Sequence, residues 1–164
     1  MQTGTLIMFA GKMGAGKSTK SKQVSQARNA VLISEDEWLS TLYPDQISTF
    51  DDYLHYSSLL KPLIKGLVVD ILTNGTDVVM DFPANTVKQR TWFKEIINET
   101  NAPNELIYLN VSNAVCLNQI KKRRIEVPER AIFDTESMFT EVTKYFQVPD
   151  ISEGFNIQVV DQDT

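Results

Sequence analysis

Five short apolar runs recur along the chain, and segments with helical periodicity or composition separate them. The apolar runs occupy residues 5–10, 30–34, 76–81, 106–111 and 155–160. The segments with helical character occupy residues 17–28, 52–74, 86–100, 113–124 and 135–146. Continuous apolar strands that alternate with helices are typical of a parallel sheet covered on both faces. The pattern therefore predicts a three-layer α/β fold, with a five-stranded, mainly parallel sheet and helices on both faces.

The length and composition are those of one globular domain, which we expect to span residues 1–164. No apolar run approaches the roughly 20 residues that cross a bilayer, and the first residues, MQTGTLIMF, lack the basic region of a signal peptide. The single cysteine, Cys116, can build neither an internal disulfide nor a cysteine metal cluster. These features predict a cytoplasmic protein without a membrane partner.

The net charge of −5 and the isoelectric point near 4.9 bear on possible partners. Broad, non-specific binding to nucleic acid depends on positive charge, so this balance argues against it. It does not exclude a local basic patch.

A glycine-rich turn, GKMGAGKST at 11–19, lies between the first predicted strand and the first predicted helix. Its spacing, a glycine, four residues and then Gly-Lys-Ser, matches the Walker A pattern. Glycines let backbone amides approach a phosphate closely, and the following helix adds the positive end of its dipole. Lys17 would reach the β- and γ-phosphates, and the Ser18 hydroxyl would bind Mg²⁺. The predicted nucleotide-binding residues are Gly11, Lys12, Met13, Gly14, Ala15, Gly16, Lys17, Ser18 and Thr19.

Carboxylates follow the second and third predicted strands, in the stretch 34–37 and at Asp81. Ligands of doubly wound sheets bind beyond the carboxyl ends of the strands, so we expect both stretches beside the glycine-rich turn. Transfer of a phosphoryl group to a hydroxyl needs a base for the hydroxyl proton and groups that organise Mg²⁺. We predict that Asp36 is the base and that Asp81 organises the metal, with a sharing of the two roles as the alternative.

The same residues also have a purely structural interpretation. Ser34 and Glu37 have the types and the spacing of a capping box for a helix that starts at Glu35. Asp36 is not needed for that cap, which favours a chemical role for it. Asp81 could instead be a turn residue at the end of a strand, since residues typical of turns follow it.

The stretch QIKKRRIEVPER, at 119–130, holds five basic residues in twelve. Arginines stabilise the negative charge that spreads over a transferred phosphoryl group, which makes Arg123 and Arg124 candidate catalytic residues and Arg130 a candidate nucleotide contact. We predict a lid around 121–134 that brings these side chains over the site and excludes water. The alternative is a solvated helix end, where cations are also favourable.

These motifs together resemble a P-loop kinase-like family of AAA-type ATP-binding proteins, which includes the polynucleotide 5′-hydroxyl kinases, chloramphenicol phosphotransferase and the zeta toxins. The matching stretches are GKMGAGKST, ISEDEW, VVMDFPANT followed by Arg90, and LIYLNVSNAVCLNQIKKRR. The likeness covers nearly the whole chain, and the stretches occur in the order and spacing that the family shows. The resemblance implies a three-layer P-loop NTPase fold, ATP with Mg²⁺, and transfer of the γ-phosphate to a hydroxyl group.

The resemblance also implies roles for individual residues. It places the acceptor-side base on Asp36, the carboxylate after the third strand on Asp81, and the lid arginine on Arg123 or Arg124. Polynucleotide kinases carry an arginine that contacts the substrate's phosphate at the position of Leu39. The leucine at this position makes a nucleic-acid 5′ end a less expected substrate.

Three functions are therefore compatible with the sequence. The first is transfer of phosphate from ATP to a hydroxyl-bearing small molecule. The second is a nucleoside or polynucleotide kinase that binds its acceptor through residues 43–56. The third is a nucleotide-binding regulatory ATPase with slow hydrolysis and a protein partner. Asp36 and the basic stretch favour transfer to an acceptor, and the sequence has no Asn-Lys-x-Asp motif that would indicate a GTPase.

Overall fold

A computed structural model describes residues 2–131 and 133–162, which form five strands, six α-helices and two short 3₁₀ turns. The strands are β1 (Leu6–Gly11), β2 (Val31–Ser34), β3 (Val78–Asp81), β4 (Asn104–Val111) and β5 (Ile157–Gln162). The helices are α1 (Lys17–Arg28), α2 (Glu35–Leu42), α3 (Phe50–Thr73), α4 (Val87–Thr100), α5 (Asn113–Glu126) and α6 (Glu136–Thr143). The 3₁₀ turns occupy Pro128–Arg130 and Ile151–Glu153.

The five strands form one sheet in the order β2-β3-β1-β4-β5, and every neighbouring pair is parallel. β1 lies at the centre of the sheet, and all of its residues are buried. Ser34 pairs with Asp81, and Gly11 pairs with Leu109, so the carboxyl ends of the strands lie along one edge of the sheet. The predicted α/β class is confirmed, with a sheet that is wholly rather than mainly parallel.

The alternation of side chains along β1 creates two core layers. Leu6, Met8 and Ala10 lie in a cluster with the buried faces of α3 and α4. Ile7 and Phe9 lie in a second cluster, which also receives side chains from α1, α5 and α6. Successive residues of a strand face opposite sides of the sheet, so this one strand contributes to both clusters. Helices therefore cover both faces, as predicted.

Side-chain caps determine where several helices begin. The Thr49 hydroxyl accepts a hydrogen bond from the Asp52 amide, and the Asp52 carboxylate accepts one from the Thr49 amide, which completes a capping box for α3. Thr86 and Thr135 cap α4 and α6 with one bond each. Caps of this kind contribute about 1 kcal/mol each. The Thr49 cap starts α3 at Phe50, slightly earlier than the periodicity predicted.

No helix within residues 2–131 and 133–162 is long and apolar enough to cross a membrane. The cytoplasmic location and the single domain that we expect from the sequence stay predictions.

A buried ion pair fastens the segment after β3 to the turn that precedes β5. Arg90 is 1% exposed, and its Nε and Nη2 donate to the carboxylate oxygens of Glu153 at 2.7 and 3.2 Å. Its Nη1 donates to the Ala84 carbonyl oxygen at 2.8 Å. These bonds satisfy a guanidinium that water cannot reach. Arg90 therefore stabilises the β3–α4 connection through buried hydrogen bonds. This connection borders the glycine-rich turn.

Arg90→Ala is expected to lower the free energy of unfolding by about 3–5 kcal/mol, because it removes one partner of a buried ion pair. Urea denaturation followed by circular dichroism measures this loss. Lys144→Ala is the control, since Lys144 forms only an exposed pair with Glu141 at 3.1 Å. A loss below about 1 kcal/mol for Arg90→Ala, the range of surface pairs, would contradict the buried role.

Candidate functional site

The glycine-rich turn lies at the point where the connections from two neighbouring strands go to opposite faces of the sheet. β1 and β3 are neighbours, but the chain leaves β1 for a helix on one face and leaves β3 for a helix on the other. Such a switch point opens a crevice beyond the carboxyl ends of the strands. Asn85 bridges the two connections, because its Oδ1 accepts a hydrogen bond from the Gly11 amide at 2.9 Å. The predicted phosphate loop, residues 11–18, therefore enters the crevice in which ligands of this fold class bind.

Two glycines give this phosphate loop its shape. Gly14 and Gly16 have φ angles of 82° and 94°, in the left-handed region that favours glycine. A Cβ added to Gly16 would meet no atom within 4 Å, so this glycine faces open space. Within the described part of the chain, no side chain caps the first turn of α1, which begins at Lys17. An open space at an uncapped helix N-terminus is suited to an anion such as phosphate.

Helix α5 supports the phosphate loop. A Cβ on Gly14 would lie 2.5 Å from the carbonyl oxygen of Cys116, so only glycine permits this close contact. The Nζ atom of Lys12 donates to Asn113 Oδ1 at 2.8 Å. Lys12 therefore fastens the loop to the start of α5 in this structure, rather than extending freely into solvent.

The other predicted loop residues take different positions. Met13 and Ala15 pack against the core cluster that contains α5. The Ala15 amide donates to the Lys12 carbonyl at 2.9 Å, so it is already used within the loop. Thr19 is exposed on the first turn of α1. The side chains of Met13 and Ala15 thus shape the loop, and any contact with a ligand would come from backbone atoms.

Lys17 is a half-buried cation in the middle of these elements. Burial lowers the pKa of its ammonium group, and the negative charges of Asp81, Asp36 and Glu35 act against that shift. Among the described residues, no carboxylate forms an ion pair with Lys17. A desolvated cation without a direct partner favours the binding of an anion.

Ser18 and Asp81 lie in direct contact, with the Ser18 hydroxyl donating to Asp81 Oδ2 at 2.9 Å. Within residues 2–131 and 133–162, no group of three His, Cys, Asp or Glu side chains is placed to hold a metal ion. Mg²⁺ usually takes one or two protein oxygens and completes its octahedron with water and substrate phosphates. The two oxygens therefore fit an Mg²⁺ ion that arrives with a nucleotide.

Asp36 lies in the first turn of α2. The Ser34 hydroxyl accepts from the Glu37 amide at 3.4 Å, which confirms the Ser34 half of the predicted capping box. This cap uses no atom of Asp36, whose carboxylate is 62% exposed and accepts from Arg130 Nη1 at 3.2 Å. Asp36 is therefore accessible to a ligand and in contact with the basic segment.

The three candidate arginines differ in their contacts. Arg123 donates twice to the carboxylate of Asp134, from Nε at 2.7 Å and from Nη2 at 2.6 Å. Arg130 donates to Asp134 from Nε at 3.3 Å, in addition to its contact with Asp36. Arg124 is exposed on α5. The structure thus joins Arg123 and Arg130, but not Arg124, to the network around Asp36.

The predicted lid at 121–134 is partly helical. α5 continues to Glu126, and the 3₁₀ turn at Pro128–Arg130 follows. Lys122 and Glu126 form an exposed pair at 3.9 Å, as expected for a solvated helix end. The solvated helix end therefore describes this pair, and the lid role of the segment stays a prediction.

Glu35 is a further residue of the site. From the sequence it is predicted only as the first residue of a helix. It is 2% exposed, and its carboxylate accepts from the hydroxyls of Tyr53 and Ser57, the latter at 2.8 Å. Burial raises the pKa of Glu35, and the two hydrogen bonds act against that rise. The sequence signal is weak, since it consists of two hydroxyl residues four apart on one face of α3. Glu35 anchors α2 to α3 and so fixes the point from which Asp36 extends.

Aromatic side chains fill the space between α2 and α3. Trp38, Tyr43, Tyr53 and Tyr56 pack against the core there, and the ring centroids of Tyr43 and Tyr56 lie 4.4 Å apart. Leu39 is 3% exposed and belongs to the same core cluster. The position of Leu39 therefore faces the core, where a phosphate-binding arginine would have no access to a ligand.

Comparison with protein families gives one match, which covers residues 6–148 and is described as an AAA domain, AAA_33. The matched range contains the phosphate loop, both candidate carboxylates and the basic stretch. Comparison with curated proteins gives no match.

Several solved structures have a similar fold. A candidate kinase from Chloroflexus aurantiacus aligns with a TM-score of 0.78 and 17% identity, over 98% of this chain and 89% of that one. The APS kinase CysC of Mycobacterium tuberculosis, in complex with AMPPNP and APS, aligns with a TM-score of 0.67 and 15% identity. The alignment covers 100% of this chain and 91% of that one. A sugar kinase from Janibacter aligns with a TM-score of 0.66 and 15% identity, over 96% of this chain and 85% of that one. At these identities the likeness establishes the fold alone, and the family match bears out the resemblance to AAA-type proteins.

The burial of Glu35 predicts a pH dependence of stability. Its pKa is raised above the ordinary value of 4.5, so the folded protein holds this proton more tightly than the unfolded chain does. Stability from this group is complete below pH 4.5 and is lost as the pH rises through the folded-state pKa. The isosteric Glu35→Gln variant cannot lose a proton, so it is not subject to this loss.

The free energy of unfolding of the wild type minus that of Glu35→Gln should therefore fall with rising pH, by at most about 1.4 kcal/mol per pH unit. Urea denaturation in buffers between about pH 4 and pH 8 measures this difference. Glu37→Gln, at an exposed position in the same turn, is the control. A difference that stays constant across this range would show that Glu35 does not titrate as the structure implies.

Proposed function

We propose that this chain, which belongs to the AAA_33 family of AAA domains, is an ATP-dependent phosphotransferase that moves the γ-phosphate of ATP to a hydroxyl group of a small molecule. The observation that carries the proposal is the position of Asp36. Its accessible carboxylate lies two residues after Ser34, which pairs with Asp81. Asp81 in turn contacts Ser18, the residue that follows Lys17. A hydroxyl group at Asp36 and a terminal phosphate at Lys17 would therefore be neighbours.

The donor half of the site consists of the phosphate loop and the residues beside it. Backbone amides at the start of α1 and the Lys17 ammonium would bind the phosphates, which replace the hydration that Lys17 has lost. The Ser18 hydroxyl and the Asp81 carboxylate would hold Mg²⁺. When bound, this ion supplies positive charge that neutralises the phosphate oxygens.

The acceptor half consists of α2 and the aromatic side chains between α2 and α3. Asp36 would accept the proton of the attacking hydroxyl, and Glu35 would keep Asp36 in place through its bonds to α3. Rings such as Tyr43 and Tyr56 would offer flat apolar surfaces to the acceptor. General bases of this kind contribute about 10² to 10⁴-fold to the rate.

The charge of the transferred group requires cations in addition to Lys17. Arg123 and Arg130 are supported as these cations, because both already contact carboxylates of the network around Asp36. The exposed position of Arg124 gives it no such support. Guanidinium groups that approach the phosphate would also displace water and so favour transfer over hydrolysis.

A small molecule is favoured as the acceptor over a nucleic-acid end. Leu39 is buried in the core, and the net charge of −5 disfavours a polyanion. The structural neighbours include a sugar kinase and an APS kinase, whose names also indicate small acceptors.

Lys17→Met is expected to weaken the binding of MgATP by at least about tenfold, because a charge-assisted contact to phosphate is lost. Isothermal titration calorimetry measures the affinity. The substitution keeps the apolar stem and removes a poorly solvated charge, so the melting temperature should not fall. Lys22→Met, at an exposed position of α1, is the control. Unchanged MgATP affinity in Lys17→Met would remove the basis for the phosphate site.

Asp36→Asn is expected to leave MgATP affinity nearly unchanged but to slow phosphate transfer by about 10² to 10⁴-fold, because the base is lost. Transfer is measured by the appearance of label from γ-labelled ATP in the acceptor. Glu37→Gln, one residue further along α2, should transfer at the wild-type rate. Normal transfer by Asp36→Asn would show that another group takes the proton.

The proposed function itself is tested by a screen of γ-labelled ATP against alcohols, sugars, nucleosides, antibiotics and oligonucleotides with a free 5′ hydroxyl. Water alone is the control. We expect label in a small-molecule acceptor, at a rate above the release of free phosphate. Label in the oligonucleotides would favour the polynucleotide kinase. Label only in free phosphate would favour the regulatory ATPase.

A further inference from the structure

We propose that Asp134 is a positioning residue, which holds Arg123 and Arg130 as one unit for contact with the terminal phosphate of the nucleotide. This inference rests on the proposed function, because it concerns the same phosphate site. Asp134 lies in the segment between the 3₁₀ turn and α6. The charge pattern of the sequence points to the arginines and not to this residue.

The Asp134 side chain is fully buried, and both of its oxygens are bonded to arginines. Oδ1 accepts from Arg123 Nη2 at 2.6 Å, and Oδ2 accepts from Arg123 Nε at 2.7 Å and from Arg130 Nε at 3.3 Å. A buried carboxylate is costly unless it is paired, so these bonds are retained in the folded protein. One anion therefore fixes two long cationic side chains that come from different elements.

Ordering these arginines in advance has an energetic advantage. Fixing a free arginine side chain costs up to about 2 kcal/mol of free energy, because rotamer freedom is lost. Arg123 and Arg130 are already fixed in the folded protein, so binding a phosphate does not add this cost. A guanidinium has five N–H donors. Arg123 uses two donor groups on Asp134, and Arg130 uses one there and one on Asp36. Both arginines therefore retain N–H donors for a phosphate oxygen.

The network also connects the arginines to the rest of the site. Arg123 is among the charges that act on Lys17. Arg130 spans from Asp134 to Asp36, the candidate base. A displaced Asp134 would therefore disturb both arginines. One of them, Arg130, is also the ion-pair partner of Asp36.

The backbone around Asp134 has hydrogen bonds that do not involve its side chain. The amides of Phe133 and Asp134 donate to the Arg130 carbonyl at 3.0 and 2.8 Å, and the Thr135 hydroxyl caps α6. The Asp134→Asn substitution keeps the shape of the side chain and leaves these bonds in place. We therefore expect the variant to fold, with the arginines released from their shared anion.

The first test compares the affinities of MgAMPPNP and MgADP by calorimetry, because the two ligands differ in the terminal phosphate. In the wild type, MgAMPPNP should bind more tightly. In Asp134→Asn, this preference should fall by about tenfold while the MgADP affinity stays within about twofold, since one charge-assisted contact is lost. Glu141→Gln, an exposed acid on α6, should retain the wild-type preference.

The second test is a double-mutant cycle with Arg123→Gln, measured as the same preference for MgAMPPNP. Because Asp134 also holds Arg130, adding Asp134→Asn to Arg123→Gln should cause a further loss, but a smaller one than Asp134→Asn causes in the wild type. Additive losses, an unchanged preference in Asp134→Asn, or an equal loss of affinity for both nucleotides would each overturn the inference. A wild type without preference for MgAMPPNP would overturn it as well.

These outcomes differ from a failure of the proposed function. Both tests need only binding, so they stand even if the screen finds no acceptor. Conversely, the wild type could transfer phosphate while Asp134→Asn keeps the wild-type preference for MgAMPPNP. That result would leave the phosphotransferase proposal intact and remove the role of Asp134.

Discussion

The ammonium of Lys17, on a half-buried residue, has no direct counter-ion among the described carboxylates, and the other charged groups of the site are arranged around it. Asp81 and Asp36 act on it from a distance and oppose the loss of its proton. α1 begins at the same residue, so the positive end of the helix dipole adds to the charge. An anion that binds here restores the balance without breaking an internal ion pair, which is why the loop favours phosphate.

Features that depend on local sequence could be predicted well. The apolar runs located all five strands, because each strand is continuous in the chain. The inner strands β1 and β3 are almost wholly buried, whereas the edge strands β2 and β5 are partly exposed. The glycine spacing located the phosphate loop, since backbone angles such as those of Gly14 and Gly16 are read directly from residue type. Asp36 and Asp81 were predicted as neighbours because parallel strands end at one edge, and the pairing of Ser34 with Asp81 places them there.

Features that depend on packing between distant segments could not be predicted. Arg123 and Arg124 are adjacent, but they point about 100° apart on a helix, and only the packing of α5 decides which one meets Asp134. Arg90 and Glu153 are 63 residues apart in the chain and meet only in the folded protein. In the sequence, Glu35 resembles an ordinary acid at the start of a helix. Its burial could not be predicted, because it depends on contact with Tyr53 and Ser57 of α3.

The contact between Gly14 and the carbonyl of Cys116 has a mechanical consequence. α5 touches the phosphate loop at Cys116 and carries Arg123 two turns further on, about 10 Å away along a stiff rod. A tilt of this rod by about 10° would move the arginine by roughly 2 Å while its base stays against the loop. A change in the loop that tilted α5 would therefore move Arg123 as well, without any rearrangement of the sheet.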